Sequence, residues 1–203
     1  MPSKSYTQQI DLFPKRSKSY GGVLLNKRQN RTYARPISTS QTMHLVLRSS
    51  QAVGEKSFKT NSNKAAIQNI LNKFAIKYGI RIISLANVGT HLHLHIKIAR
   101  RAGYLCFIRA VTSAIAMHVS GRNRWTARVS NKSIATLPEL TSVSRAKLSA
   151  PKFWDYRPFT RIVEGFRAFL NMKDYIQINQ LEGLGVPRYQ ARMLLTRARP
   201  SLC

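Results

Sequence analysis

The spacing of apolar and polar positions changes several times along the chain, and each change predicts an element. "TMHLVLRSS" opens the patterned region with a short apolar strand at 42 to 48. In "NSNKAAIQNILNKFAIKYG" the apolar residues Ala66, Ile67, Ile70, Leu71, Phe74 and Ile76 follow helical spacing. Ser62 or Asn63 offers an N-cap and Gly79 a stop, so an amphipathic helix is expected. "IRIISLANV" and "THLHLHIKIA" return to strand character and are joined near Gly89, most simply as an antiparallel hairpin. "GYLCFIRAVTSAIAMHVSG" reads as a second helix closed by Gly121. Residues 122 to 152 are polar and carry no clear period. "KFWDYRPFTRIV" reads as an extended run broken at Pro158 that forms the last strand, and "EGFRAFLNMKDYIQINQLEGLG" as a long helix ending at Gly183 or Gly185.

The order β-α-β-β-α with a closing strand is that of a ferredoxin-like, split β-α-β sandwich. In this α+β fold helices cover one face of an antiparallel sheet and the other face is expected to stay open for a ligand. The patterned body spans 41–183, between a basic N-terminal arm at 1–40 and a basic tail at 184–203. Neither internal repeats nor low-complexity tracts appear.

Charge narrows the partner. Thirty-four Lys and Arg against seven Asp and Glu leave a formal net charge of +27. A polyanion is the expected ligand of such a surface. No stretch approaches the roughly 18 apolar residues of a spanning helix and neither end carries a lipidation signal, so nucleic acid is preferred over a membrane. The first residues lack the apolar core of a signal peptide, and two cysteines, Cys106 and Cys203, make no disulfide framework. A cytoplasmic, reduced protein is expected.

"GTHLHLHIKI" raises the chemical question. Side chains alternate between the faces of a strand, so His91, His93 and His95 share one face and Leu92, Leu94 and Ile96 the other. Adjacent cationic imidazoles would repel, whereas a metal ion would hold them neutral, and two histidines at i and i+2 can bring two ring nitrogens to one ion. Direct contact of the imidazoles with nucleic acid is the alternative. In "DYIQINQLEG", Tyr175 and Asn179 stand four residues apart and share a helical face, either as site residues or as an ordinary half-buried tyrosine and a polar neighbour.

Together these two motifs resemble the HUH single-tyrosine transposases. "GTHLHLHIKI" is similar to that family's His-hydrophobic-His strand. "FWDYRPFTRIVEGFRAFLNMKDYIQINQLEG" is similar to the stretch leading into and containing its catalytic-tyrosine helix. The likeness is greatest to the REP-associated branch and spans roughly 35 to 183. It implies a metal-dependent endonuclease and strand transferase that acts on single-stranded or hairpin DNA through a covalent 5′-phosphotyrosine, as a monomer or homodimer, without a nucleotide cofactor. Residue by residue, the resemblance implies Tyr175 as nucleophile and His91, His93 and Asn179 as ligands of Mg²⁺ or Mn²⁺. Thr90 stands where the family carries Asn or Asp, and His95, where it usually carries an apolar residue, is a candidate to extend the site or to contact DNA, or is incidental.

Arg81, Lys97, Arg100 and Arg101 flank the histidine hairpin, and Arg122, Arg124, Arg128, Lys132, Arg157 and Arg161 surround the variable connection and last strand. These are expected to contact phosphates. Trp125, Trp154, Tyr156 and Phe159 lie among them and either stack on exposed bases or pack in the core. The arm and the Arg-rich tail are expected to clamp a DNA hairpin. The competing class is a non-catalytic hairpin-binding protein, either a domesticated relative or a basic RNA-binding, ribosome-associated protein.

Overall fold

The computed structural model describes residues 35–121 and 152–198. Its elements follow in the order β1 Thr42–Arg48, α1 Asn61–Tyr78, β2 Ile80–Asn87, β3 His91–Ile98, α2 Arg101–Ser120, β4 Phe159–Val163, α3 Phe166–Gly183 and α4 Arg188–Ala198. The four strands form one antiparallel sheet in the spatial order β2-β3-β1-β4.

One sheet face is apolar because every second residue is. Met43, Leu45 and Leu47 of β1 and Leu92, Leu94, Ile96 and Ile98 of β3 are buried in one cluster with Ile67 and Leu71 of α1 and Tyr104, Phe107, Val111 and Ile115 of α2. Each fully buried side chain of this size contributes roughly 1.5–3 kcal/mol, so this two-helix layer is the main source of stability. At 20 residues and a mean hydropathy of 1.4, α2 is long and apolar enough to cross a membrane, contrary to the sequence reading. Its stripe from Tyr104 to Val119 is spent on the sheet.

Several local expectations are corrected. The N-cap of α1 is Thr60, whose Oγ1 accepts from the Asn63 N–H. Asn63 is buried instead, and its Nδ2 donates to the carbonyls of Glu55 at 3.1 Å and Ser57 at 2.9 Å, tying the helix start to the preceding turn. Ile76, counted with the apolar stripe, points to solvent while Ala75 takes the buried place. Gly79 does end the helix, at φ 67° and ψ 42°, a left-handed conformation that costs glycine little.

The last strand is also shorter than "KFWDYRPFTRIV" suggested. Residues 153–157 form a series of bends, and β4 begins at Phe159. Side chains hold these bends against the end of β1: the Ser50 N–H and Oγ each donate to Asp155 Oδ1 at 2.8 Å, and Arg48 lies 3.5 Å from Asp155 Oδ2. Trp154 turns into the helical layer, where its Nε1–H donates to the Thr112 carbonyl at 2.9 Å. It is half-buried against the core.

The second sheet face is covered in part by α3, whereas the sequence led us to expect it open. Ala86, Val163, Met172 and Ile176 are buried between the helix and the sheet, with Ala168, Phe169 and Tyr175 packed at their edge. The far end of α3 is seated by the close approach of Gly183 to the last residue of β2, where a Cβ would lie 2.6 Å from the Asn87 carbonyl oxygen. Beside it Gln180 Oε1 accepts from the Asn87 N–H at 2.9 Å. Beyond α3, in the region read as a tail, α4 returns along the helix, with Ala191 buried and Arg188 paired to Glu182 at 2.8 Å.

Gly183→Ala would gain at most about 1 kcal/mol of helix propensity, against a backbone clash of the kind that typically costs 1–3 kcal/mol. The variant is expected to melt several degrees below the wild type in a thermal denaturation scan.

Candidate active site

Strand pairing brings together four of the five histidines. In the β1–β3 register Arg48 lies opposite His91, Val46 opposite His93 and His44 opposite His95. The alternation that sends Met43, Leu45 and Leu47 to the core therefore sends His44 and Arg48 to the face of the three β3 histidines. His44 Nε2 lies 3.0 Å from His93 Nδ1, and the two rings are nearly parallel at an 11° interplanar angle. His91 meets His93 edge-on at a centroid distance of 4.8 Å. His44 was missed by the sequence reading. Its signal was present, since it alternates with Met43 and Leu45 as the others alternate with Leu92 and Leu94.

Helix α3 adds Tyr175. Its ring centroid lies 5.6 Å from both His44 and His93, close to perpendicular to each. The tyrosine also lines a cleft of about 440 Å³ between β4 and α3, together with Arg161, Glu164, Asn171 and Met172. Asn179 lies on the buried stripe of the helix with Met172, Ile176 and Gly183. Its Nδ2 donates to the Tyr175 carbonyl at 2.6 Å, which leaves Oδ1 as the acceptor. The helix thus joins Tyr175 and Asn179 directly, and seats the Asn179 end toward the β2–β3 turn that precedes His91.

The histidines differ in their second nitrogen. Thr90 Oγ1 is 3.1 Å from His91 Nδ1, so the hydroxyl supplies a partner where an amide or carboxylate was expected. His93 Nδ1 is met by His44, and its Nε2 is buried without a hydrogen-bond partner. His95 Nε2 is 2.8 Å from Thr42 Oγ1 and its ring packs on Phe169 at 4.9 Å, so His95 links β3 to β1 rather than to Tyr175.

Among the described residues, no group of three or more His, Cys, Asp or Glu side chains is placed to hold a metal ion. His91 and His93 each have Nδ1 occupied, and their rings lie 4.8 Å apart. Two such imidazoles suit a cation that takes its remaining ligands from other oxygens and water. The unpartnered Nε2 of His93 is the observation that favours such a fit, since a buried polar atom without a partner costs about 1–3 kcal/mol.

Burial disfavours the charged form of all four imidazoles. It lowers His93 to about 3, with the neighbouring His44 and His91 adding to the shift. His44 falls to about 4, through burial and then the charges of His95 and Arg161. Burial lowers His95 to about 4, and His91 is lowered by burial and by Arg48.

Basic side chains frame this row. Arg48 stands beside His91 and Arg161 beside His44 in register, while Arg81 and Lys97 face each other past His95. Arg81, Arg100, Arg101, Arg157 and Arg161 are exposed and Lys97 is half-buried, reaching the Ser40 carbonyl. Phe159 is buried against His44, with the Arg35 guanidinium 5.8 Å from its ring, and Tyr156 is half-buried. Arg122, Arg124, Trp125, Arg128 and Lys132 lie outside the described residues.

No known family model matches the chain and no curated protein is similar to it. Among solved structures it is similar to a REP-associated tyrosine transposase bound to a REP hairpin. The TM-score is 0.50 at 12% identity, over 74% of this chain and 72% of that one. That likeness establishes a shared fold. A protein of Deinococcus radiodurans R1 provisionally classed as a transposase aligns at TM-score 0.37 and 12% identity, over 75% of this chain and 97% of the other, too distantly to carry an argument.

Neutral buried histidines make stability depend on pH. In the unfolded chain each titrates near 6.5, whereas His44, His93 and His95 resist protonation until about 4, 3 and 4. The unfolded state therefore binds more protons between these limits, and stability falls as the pH drops through that window. The slope is up to about 1.4 kcal/mol per pH unit for each histidine. In EDTA the urea midpoint is expected to be level above pH 7 and to collapse between pH 6 and pH 4. A midpoint unchanged down to pH 4 would contradict the neutral cluster.

Proposed function

We propose that the chain is an HUH-type single-tyrosine transposase of the REP-associated kind, a divalent-metal-dependent enzyme that cuts and rejoins single-stranded or hairpin DNA. The observation that carries this reading is Tyr175. Its ring is packed against those of His44 and His93, and it lines a cleft together with Arg161. The element order, the strand order β2-β3-β1-β4 and the fold shared with the hairpin-bound transposase support the ferredoxin-like split β-α-β reading.

In this reading Tyr175 Oη attacks phosphorus in line. An Oη–P ester forms, the P–O3′ bond breaks, the phenolic proton passes to water, and the departing 3′ oxygen takes up a proton. The covalent ester keeps the energy of the broken bond, so a 3′-hydroxyl can reverse the step on the same or another strand without ATP. His91 and His93 through Nε2 and Asn179 through Oδ1 would hold Mn²⁺ or Mg²⁺, which when bound supplies charge stabilisation at a non-bridging phosphate oxygen. Two nitrogen donors favour Mn²⁺. Arg48, Arg161, Arg81 and Lys97 place the strand along the histidine row through its phosphates. The departure at Thr90 would favour a domesticated relative that binds hairpins without cutting them, and the contact of the Thr90 hydroxyl with His91 Nδ1 speaks against that reading.

Incubated with pooled single-stranded hairpins and Mn²⁺, the protein is expected to form a covalent DNA adduct, visible on a denaturing gel and mapped by mass spectrometry to Tyr175. Tyr175→Phe and His91→Ala should lose the adduct while still retarding hairpins on a native gel. Equal hairpin binding by all three proteins with no adduct from any would favour the non-catalytic reading.

A further inference from the structure

His44 is absorbed by neither the nucleophile nor the ligand set, yet it is buried at their centre. Its Nε2 lies 3.0 Å from His93 Nδ1, and the nitrogen across that ring, His93 Nε2, is buried without a partner. A hydrogen bond between two neutral imidazoles needs one N–H and one lone pair, so the two rings must hold complementary tautomers. If His44 donated, His93 would carry its proton on Nε2, placing an unsatisfied N–H in the interior and closing that nitrogen to any cation. If His93 Nδ1–H donates and His44 Nε2 accepts, the His93 Nε2 lone pair is presented to the site. His91 follows the same rule, with Thr90 Oγ1 beside its Nδ1 at 3.1 Å.

We propose that His44 is a positioning residue that accepts from His93 Nδ1–H, fixing the ring and tautomer in which His93 offers Nε2 to a divalent cation. The inference rests on the metal-dependent reading above. Outer partners of ligating histidines orient the ring and raise its basicity, and losing one typically weakens metal binding about 10- to 100-fold. Here the partner comes from β1, so cation affinity depends on the register of the two central strands.

The test is Mn²⁺ affinity by calorimetry on the full chain, without DNA, backed by long-range ¹H–¹⁵N spectra of the histidine rings. His44→Phe fills the space but offers no acceptor, and is expected to weaken Mn²⁺ about 10- to 100-fold and to release the single His93 tautomer. His44→Gln keeps an acceptor oxygen and should recover affinity to within about threefold of the wild type. Thr42→Val removes the comparable buried contact with His95, controls for general damage, and should leave affinity unchanged. Folding of each variant is checked by circular dichroism without metal; if His44→Phe does not fold, the His44→Gln and Thr42→Val pair with the wild-type His93 tautomer decides the matter. Wild-type affinity in a folded His44→Phe, an equal loss in Thr42→Val, or a proton on His93 Nε2 in the wild type would each overturn the proposal alone. A wild-type protein that binds no Mn²⁺ would overturn the metal-dependent reading and this inference together.

Discussion

The antiparallel pairing of β1 with β3, in the single register that sets Val46 opposite His93 and His44 opposite His95, is the constraint from which the rest follows. A slip of one residue would carry Met43, Leu45 and Leu47 out of the core and take His44 off the histidine face. The burial of those apolar residues therefore fixes the polar chemistry on the reverse side. The same hydrophobic layer that stabilises the sheet determines which imidazoles meet.

Helix α3 depends on that face in turn. Besides the apolar packing of Val163, Met172 and Ile176, close contacts seat it over the sheet: Ala86 beneath it, Gly183 against the Asn87 carbonyl, and Gln180 on the Asn87 N–H. These set both the height and the rotation of the helix, and so bring Tyr175 against two rings while Asn179 stays on the buried stripe. The cover also explains why the imidazoles remain neutral. A histidine on an open face would be solvated, whereas His44 and His93 are buried and their charged forms disfavoured.

Most of the framework was legible because it rests on local periodicity. The strand at 42 to 48, both helices on the core side, the hairpin around Gly89 and the long helix bearing Tyr175 all follow from spacing and caps. The errors occurred where side chains compete for the same place. Thr60 took the cap because Asn63 was drawn into bonds with Glu55 and Ser57, and the run before Phe159 bent because Asp155 is held by Ser50 and Arg48. Trp154, set among basic residues in sequence, found its partner in the Thr112 carbonyl of a helix some forty residues earlier.

The sequence by itself determined which residues share a face: His91, His93 and His95 through the two-residue period of a strand, Tyr175 and Asn179 through the four-residue return of a helix, and a cationic surface through composition. Only the tertiary structure decided which of these faces meet. That His44 partners His93, that Thr90 reaches His91, that His95 turns to Thr42, and that the cleft beside Tyr175 opens toward Arg161 are all contacts between segments or rotamers. Periodicity along one chain segment carries no term for the neighbour laid against it. Strand register and the seating of one helix supply that term, and both are set by the packing of apolar groups on segments distant from one another in sequence.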